Sequence, residues 1–87
     1  MVQTRRRRGQ SEVIEKILTI ALNGANATSI VYGANIDFNR FKTLSSNLIG
    51  KKLLTVEQGS GAYGKTYRTT DRGRTLLTLL RKVRDLV

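Results

Sequence analysis

The chain predicts a mostly helical α+β fold: three helices, a two-stranded β-hairpin and a C-terminal helix. Three observations carry this. Apolar residues recur at helical spacing in three segments between Ser11 and Ile49. Two alternating runs, LLTVEQ and KTYRTT, flank the glycine-rich stretch GSGAYGKT and read as a hairpin. A leucine-rich amphipathic run then fills the sequence from Asp71 to Val87. The 87 residues suggest one domain. A domain this small buries only roughly 60–65% of the surface its unfolded chain exposes, so its core is thin.

The elements follow in order. Residues 1–9 form a basic arm, because four consecutive arginines, Arg5, Arg6, Arg7 and Arg8, repel one another and bury nothing. Ser11 is placed to cap the first helix, with Glu12 and Glu15 near its positive end. Val13, Ile14, Ile17, Leu18 and Ala21 form its apolar face, and Asn23–Gly24 ends it. Asn26 or Thr28 caps a short second helix that buries Ile30, Val31 and Ala34, with a turn at Gly33–Asn35. Asp37 caps a third helix over about residues 37–49. At about 100° per residue, Phe38, Phe41, Leu44, Ser45 and Leu48 point inward. Asn39, Thr43 and Ser46 point directly away, flanked by Arg40, Lys42 and Asn47. Gly50 ends this helix. In the hairpin, Tyr67 and Thr69 share one face while Arg68 takes the other. Thr70 caps the final helix.

Composition narrows the function. There is no Cys and no His, which excludes disulfides, zinc sites built on those residues and Ser-His or Cys-His nucleophile pairs. Six acidic residues are a poor inventory for acid–base catalysis, so no enzyme, cofactor or metal is expected. Sixteen Lys and Arg give a net charge of +10, which points to a polyanionic partner, nucleic acid first. No run approaches a membrane span and no apolar stretch closely follows the basic N-terminus, so a cytoplasmic, nucleoid-associated place is expected.

The third helix sharpens the reading. An ordinary solvated face favours Glu, Lys and Gln in paired positions. This one offers amides, hydroxyls and cations, which can read base edges: Asn for adenine, Arg for guanine, Ser or Thr for either. A short second helix and a polar-faced third joined by a tight turn make a helix-turn-helix unit, and the hairpin beside it is a wing over about residues 57–67.

Three pieces, SEVIEKILTIALNGANATSIVYGANIDFNRF, LIGKKLLTVEQ and YRTTDRGRTLL, then give the chain a resemblance. In order and spacing it resembles the archaeal winged helix-turn-helix DNA-binding proteins, including the small 10a-type chromatin proteins and related predicted transcription regulators. The likeness covers about residues 10–87. YRTTDRGRTLL is similar to the aromatic-x-x-Thr-x-x-Gly-x-x-x-Leu run with which many winged helices leave the wing. The resemblance implies that the third helix is the recognition helix, with Asn39, Arg40, Thr43, Ser46 and Asn47 facing the major groove of double-stranded DNA. Tyr63 and Lys65 would meet backbone or minor groove. With Thr28, Lys42, Arg68 and the arm residues Arg5, Arg6, Arg7 and Arg8, these are the candidate DNA contacts. Members of the 10a type pair as homodimers through a long C-terminal helix, and the helix here is shorter.

The C-terminal helix also suggests a partner by its own pattern. Leu76, Leu80, Val83 and Val87 follow a 4-3-4 spacing, widened by Leu79 and Leu86 on one side and Leu77 on the other. That stripe exceeds what one small domain covers, so residues 70–87 are expected to support a homodimer.

GSGAYGKT fits the phosphate-loop pattern G-x-x-x-x-G-K-[ST], Gly59–Thr66. Such a loop needs a helix beginning at the Lys-Thr pair. Here β-favouring TYRTT follows, so a glycine-rich wing tip is expected and no nucleotide. Two alternatives to a transcription regulator stay open: a non-specific chromatin-type coating protein, and a basic RNA-binding or ribosomal protein. The second is disfavoured by few aromatics for base stacking, with Phe38, Phe41 and Tyr67 expected inside.

Overall fold

A computed structural model describes residues 9–59 and 64–86. Along them run α1 (Gln10–Ile20), α2 (Ala27–Ala34), α3 (Phe38–Gly50), β1 (Leu54–Gln58), β2 (Lys65–Thr69) and α4 (Asp71–Leu86). This is the predicted order. The expectations for Arg5, Arg6, Arg7, Arg8, Tyr63 and Val87 fall outside the described residues. One core joins all four helices to the hairpin: Val13, Ile17, Leu18 and Ala21 meet Ile30, Ala34, Phe41, Leu44, Leu48, Leu53, Leu54 and Leu77.

The helix ends show where local chemistry decides. At α1 the cap is Gly9, with no side-chain acceptor, and Ser11 lies inside the helix. Glycine ranks close to threonine at this position, so the helix gains a residue at little cost. Asn26, not Thr28, caps α2: its side chain accepts from the Ser29 N–H at 2.8 Å. Helix α2 leaves through Asn35 in the left-handed region (φ 58°). The Ile36 N–H reaches the Val31 carbonyl at 3.2 Å and the Asn35 N–H reaches that of Tyr32 at 3.3 Å, the paired closure of a Schellman end. Asp37 caps α3 as expected, accepting from the Arg40 N–H at 2.7 Å.

Helix α3 ends at Gly50 as expected, and the left-handed residue that turns the chain out of it is Lys52 (φ 64°). The Leu53 N–H closes on the Leu48 carbonyl at 2.9 Å, and both leucines are buried, so core packing sets the exit rather than the glycine. Phe38 was expected inside and is 53% exposed. It opens the helix at the edge of the inward stripe, where its ring meets that of Phe41 edge-on at 6.4 Å.

Strands β1 and β2 pair antiparallel, Leu54 opposite Thr69 and Val56 opposite Tyr67. A third segment adds to them. The Ala25 N–H bonds the Tyr67 carbonyl at 2.9 Å and the Tyr67 N–H bonds the Ala25 carbonyl at 2.8 Å, fastening the α1–α2 loop to the hairpin. Thr69 closes the end of α1, its buried hydroxyl donating to the Leu18 carbonyl at 2.7 Å and its N–H to that of Ala21 at 3.0 Å. Thr70 does the same for the α3 exit, its hydroxyl donating to the Lys52 carbonyl at 2.7 Å and its N–H to that of Leu53 at 3.1 Å. The same hydroxyl accepts from the Gly73 N–H at 2.9 Å and so caps α4, as expected. Glu15, placed in the sequence reading near the start of α1, is buried and ion-paired with Arg84 of α4, with Arg81 Nε at 3.9 Å.

Gly73 lies against the Leu53 carbonyl and the Thr69 methyl, with no room for a β-carbon. Gly73→Ala is therefore expected to lower unfolding free energy by about 2 kcal/mol or more through overpacking against backbone. Lys52→Gly is expected to raise it by about 0.5–1 kcal/mol by removing left-handed strain. Chemical denaturation followed by circular dichroism measures both.

Candidate nucleic-acid interface

Helix α3 presents the polar face that the wheel foresaw. Asn39, Arg40, Lys42, Thr43, Ser46 and Asn47 are all exposed, while Phe41, Leu44, Ser45 and Leu48 are buried beneath them. Asn39, Arg40, Thr43 and Asn47 surround one shallow depression with Asp37, Leu44 and Gln10, the first residue of α1. Lys42 lies on the opposite flank of the helix, on the side of Phe38, and Ser46 lies between the flanks. The Asp37 side chain turns back onto the helix's own N–H groups. No ion pair among the described residues engages Arg40 or Lys42. This face therefore carries unneutralised cations, two amides and two hydroxyls on a rigid support. That is the donor and acceptor set that distinguishes base pairs along a groove.

Thr28 is exposed in the first turn of α2. Lys65 and Arg68, both exposed, take opposite faces of the wing. Lys65 pairs with Gln58 on the face that carries Tyr67. Tyr67 stacks edge-on against Phe41 at 5.1 Å, so this face turns toward α3. Arg68 lies on the other face, its guanidinium beside Gly24 in the α1–α2 loop. The fold thus groups Lys65 with α3 and separates Arg68 from it.

The sequence reading did not include Tyr32, which is 81% exposed on α2. Its place on the wheel opposite Ile30 signals that exposure. With Phe38 it gives the helix-turn-helix two exposed rings, so the argument against RNA from internal aromatics does not hold in that form.

Lys65 and Thr66, the end of the phosphate-loop pattern, stand in strand β2. The helix N-terminus that would aim N–H groups at a nucleotide phosphate is not at this position. Gly59 and Gly64 instead pair through the Gly59 N–H and the Gly64 carbonyl and carry the hairpin on, with Gly64 at φ 68°.

On α4, Leu77 is buried and Leu76 packs half-buried on the core. Leu80 lines a groove against α1. Leu79, Val83 and Leu86 are exposed, so among the described residues the open part of the stripe is narrower than the sequence pattern.

No curated protein matches the sequence. Among solved structures, the fold is similar to the crystal structure of Sso10a-2, described as a DNA-binding protein from Sulfolobus solfataricus. The TM-score is 0.84 at 23% identity, over 91% of this chain and 81% of that one. The model of the winged helix-turn-helix family matches residues 7–87, and the chain belongs to that family.

Proposed function

We propose that this protein binds double-stranded DNA and acts as a transcription regulator, with α3 docked in the major groove. The observation that carries the reading is the α3 face, where six exposed hydrogen-bonding side chains include two cations that no ion pair among the described residues engages. The net charge of +10 supplies attraction to phosphates, and base contacts then give preference. Thr28, at the start of α2, is placed for a backbone phosphate. Lys65 and Tyr63 on the wing, and Arg5, Arg6, Arg7 and Arg8 on the arm, are assigned to backbone or minor groove. Arg68 belongs to the DNA surface only if duplex also reaches the outer face of the wing. The family membership and the DNA-binding neighbour support this class of function. Exposed Leu79, Val83 and Leu86 support a homodimer paired through α4.

A coating protein uses the same charge without base readout. Selection from a randomised duplex pool at two salt concentrations separates the two. An enriched motif that survives higher salt identifies a regulator; recovery of all sequences alike identifies a coating protein. Duplex RNA as competitor in the same assay should displace DNA poorly, and efficient displacement would move the function to RNA.

Neutralising about five phosphates per protomer gives a slope of about −4 to −5 for log K against log salt. Deleting residues 1–8 should flatten that slope, and an unchanged slope removes the arm from the interface. Arg40→Ala is expected to cost about 1–3 kcal/mol and relax preference at one base pair. A uniform loss on all sequences would make Arg40 a phosphate contact. Asp37→Asn keeps a good cap and removes the acid from this face, so DNA affinity should rise at unchanged thermal stability. Val83→Glu should leave the fold intact and yield monomers in sedimentation velocity.

A further inference from the structure

We propose that Phe38 is a specificity-determining residue of this interface, its exposed ring meeting the C5-methyl group of thymine in the major groove. The proposal rests on the DNA-binding reading above. Phe38 opens α3 on the flank of Lys42, which follows it one turn later. About half its surface faces solvent.

The ring is held in place. It sits edge-on against Phe41 at 6.4 Å with an interplanar angle of 88°. Phe41 is 2% exposed and is itself edge-on to Tyr67 at 5.1 Å. Three rings thus run from the wing through the core to the start of the helix, and the last is the most exposed of them. Its edge contact with Phe41 leaves ring surface free while restricting its motion.

The neighbouring groups identify the ligand. Among the described residues of α3, Phe38 is the single exposed large apolar side chain; the other exposed side chains are polar or charged. Base edges in the major groove have the same composition. Every feature there is a donor or acceptor except the methyl group of thymine. A polar face with one fixed ring at its leading end matches a polar groove with one methyl group.

The test measures duplex binding by wild type, Phe38→Ala and Phe38→Leu. The probes are a short alternating A·T duplex and its deoxyuridine counterpart, then an alternating G·C duplex and its 5-methylcytosine counterpart. Wild type should bind about threefold to fivefold more weakly when the thymine methyl is absent, the factor expected for burying one methyl group. It should gain by a similar factor when cytosine carries the methyl. Phe38→Ala should bind both members of each pair equally, and Phe38→Leu should keep part of the difference. Because each ratio is taken within one protein, a lower folded fraction does not alter it. Equal wild-type binding within the pairs, or an undiminished ratio in Phe38→Ala, overturns the proposal and leaves DNA binding standing. Wild type that binds none of the four duplexes overturns the DNA reading itself. A Phe38→Ala protein that changes sedimentation but not the ratio assigns the ring to a contact between copies and overturns the thymine contact.

Discussion

The Thr69 hydroxyl lies buried between hairpin and α1 and donates to the Leu18 carbonyl. Helix ends leave carbonyls without partners, and a core this thin has little room for water to satisfy them. Thr69 and Thr70 meet that need for two helices at once, closing α1 and the exit of α3 and then starting α4. The position of α4 follows from this junction, because Gly73 must pass against the Leu53 carbonyl. The base of the wing follows too, because β2 carries both threonine backbones into place. The Ala25–Tyr67 bonds and the Glu15–Arg84 ion pair add to this registration, tying the hairpin and α4 to the helices a second time.

This junction also explains the run Tyr67-x-x-Thr70-x-x-Gly73-x-x-x-Leu77. Tyr67 bridges to Ala25, Thr70 caps, Gly73 yields space and Leu77 is buried. Each residue type is required by a different part of the geometry, which is why a short pattern could point to a whole fold. The helices were legible for another reason: apolar spacing records which face is buried. The polar face of α3 was legible as the complement of that stripe. What stayed hidden is non-local. Nothing within α1 says that Glu15 pairs with Arg84, or that the Leu18 carbonyl awaits Thr69. The Lys52 exit was missed because glycine is the usual left-handed residue, whereas here the depth of Leu53 decides. Phe38 was misplaced because a wheel assumes that something covers every position on the inner stripe.

Rings tie the wing to α3. Tyr67 and Phe41 are in contact across the core, and Phe41 in turn holds Phe38. The face of the wing that carries Lys65 therefore keeps a set relation to α3, while Arg68 is turned to the other side. Lys65 and Arg68 on one strand are thereby turned to opposite faces by strand alternation alone.

The charges divide along the same line. On α4, Arg84 is paired with Glu15 and Asp85, and Arg81 approaches Glu15 while donating to the Thr19 hydroxyl. These arginines hold helices together. At the start of α3, Asp37 spends its carboxylate on the backbone, and no ion pair among the described residues engages Arg40 or Lys42. Cations paired in this way contribute less to the outward field than cations left unpaired. Among the described residues the acids thus leave Arg40 and Lys42 with the cations that carry outward potential, on a helix whose other exposed side chains are hydrogen-bonding groups. Net charge alone would attract any polyanion; its distribution favours a ligand that presents phosphates beside a groove of hydrogen-bonding edges.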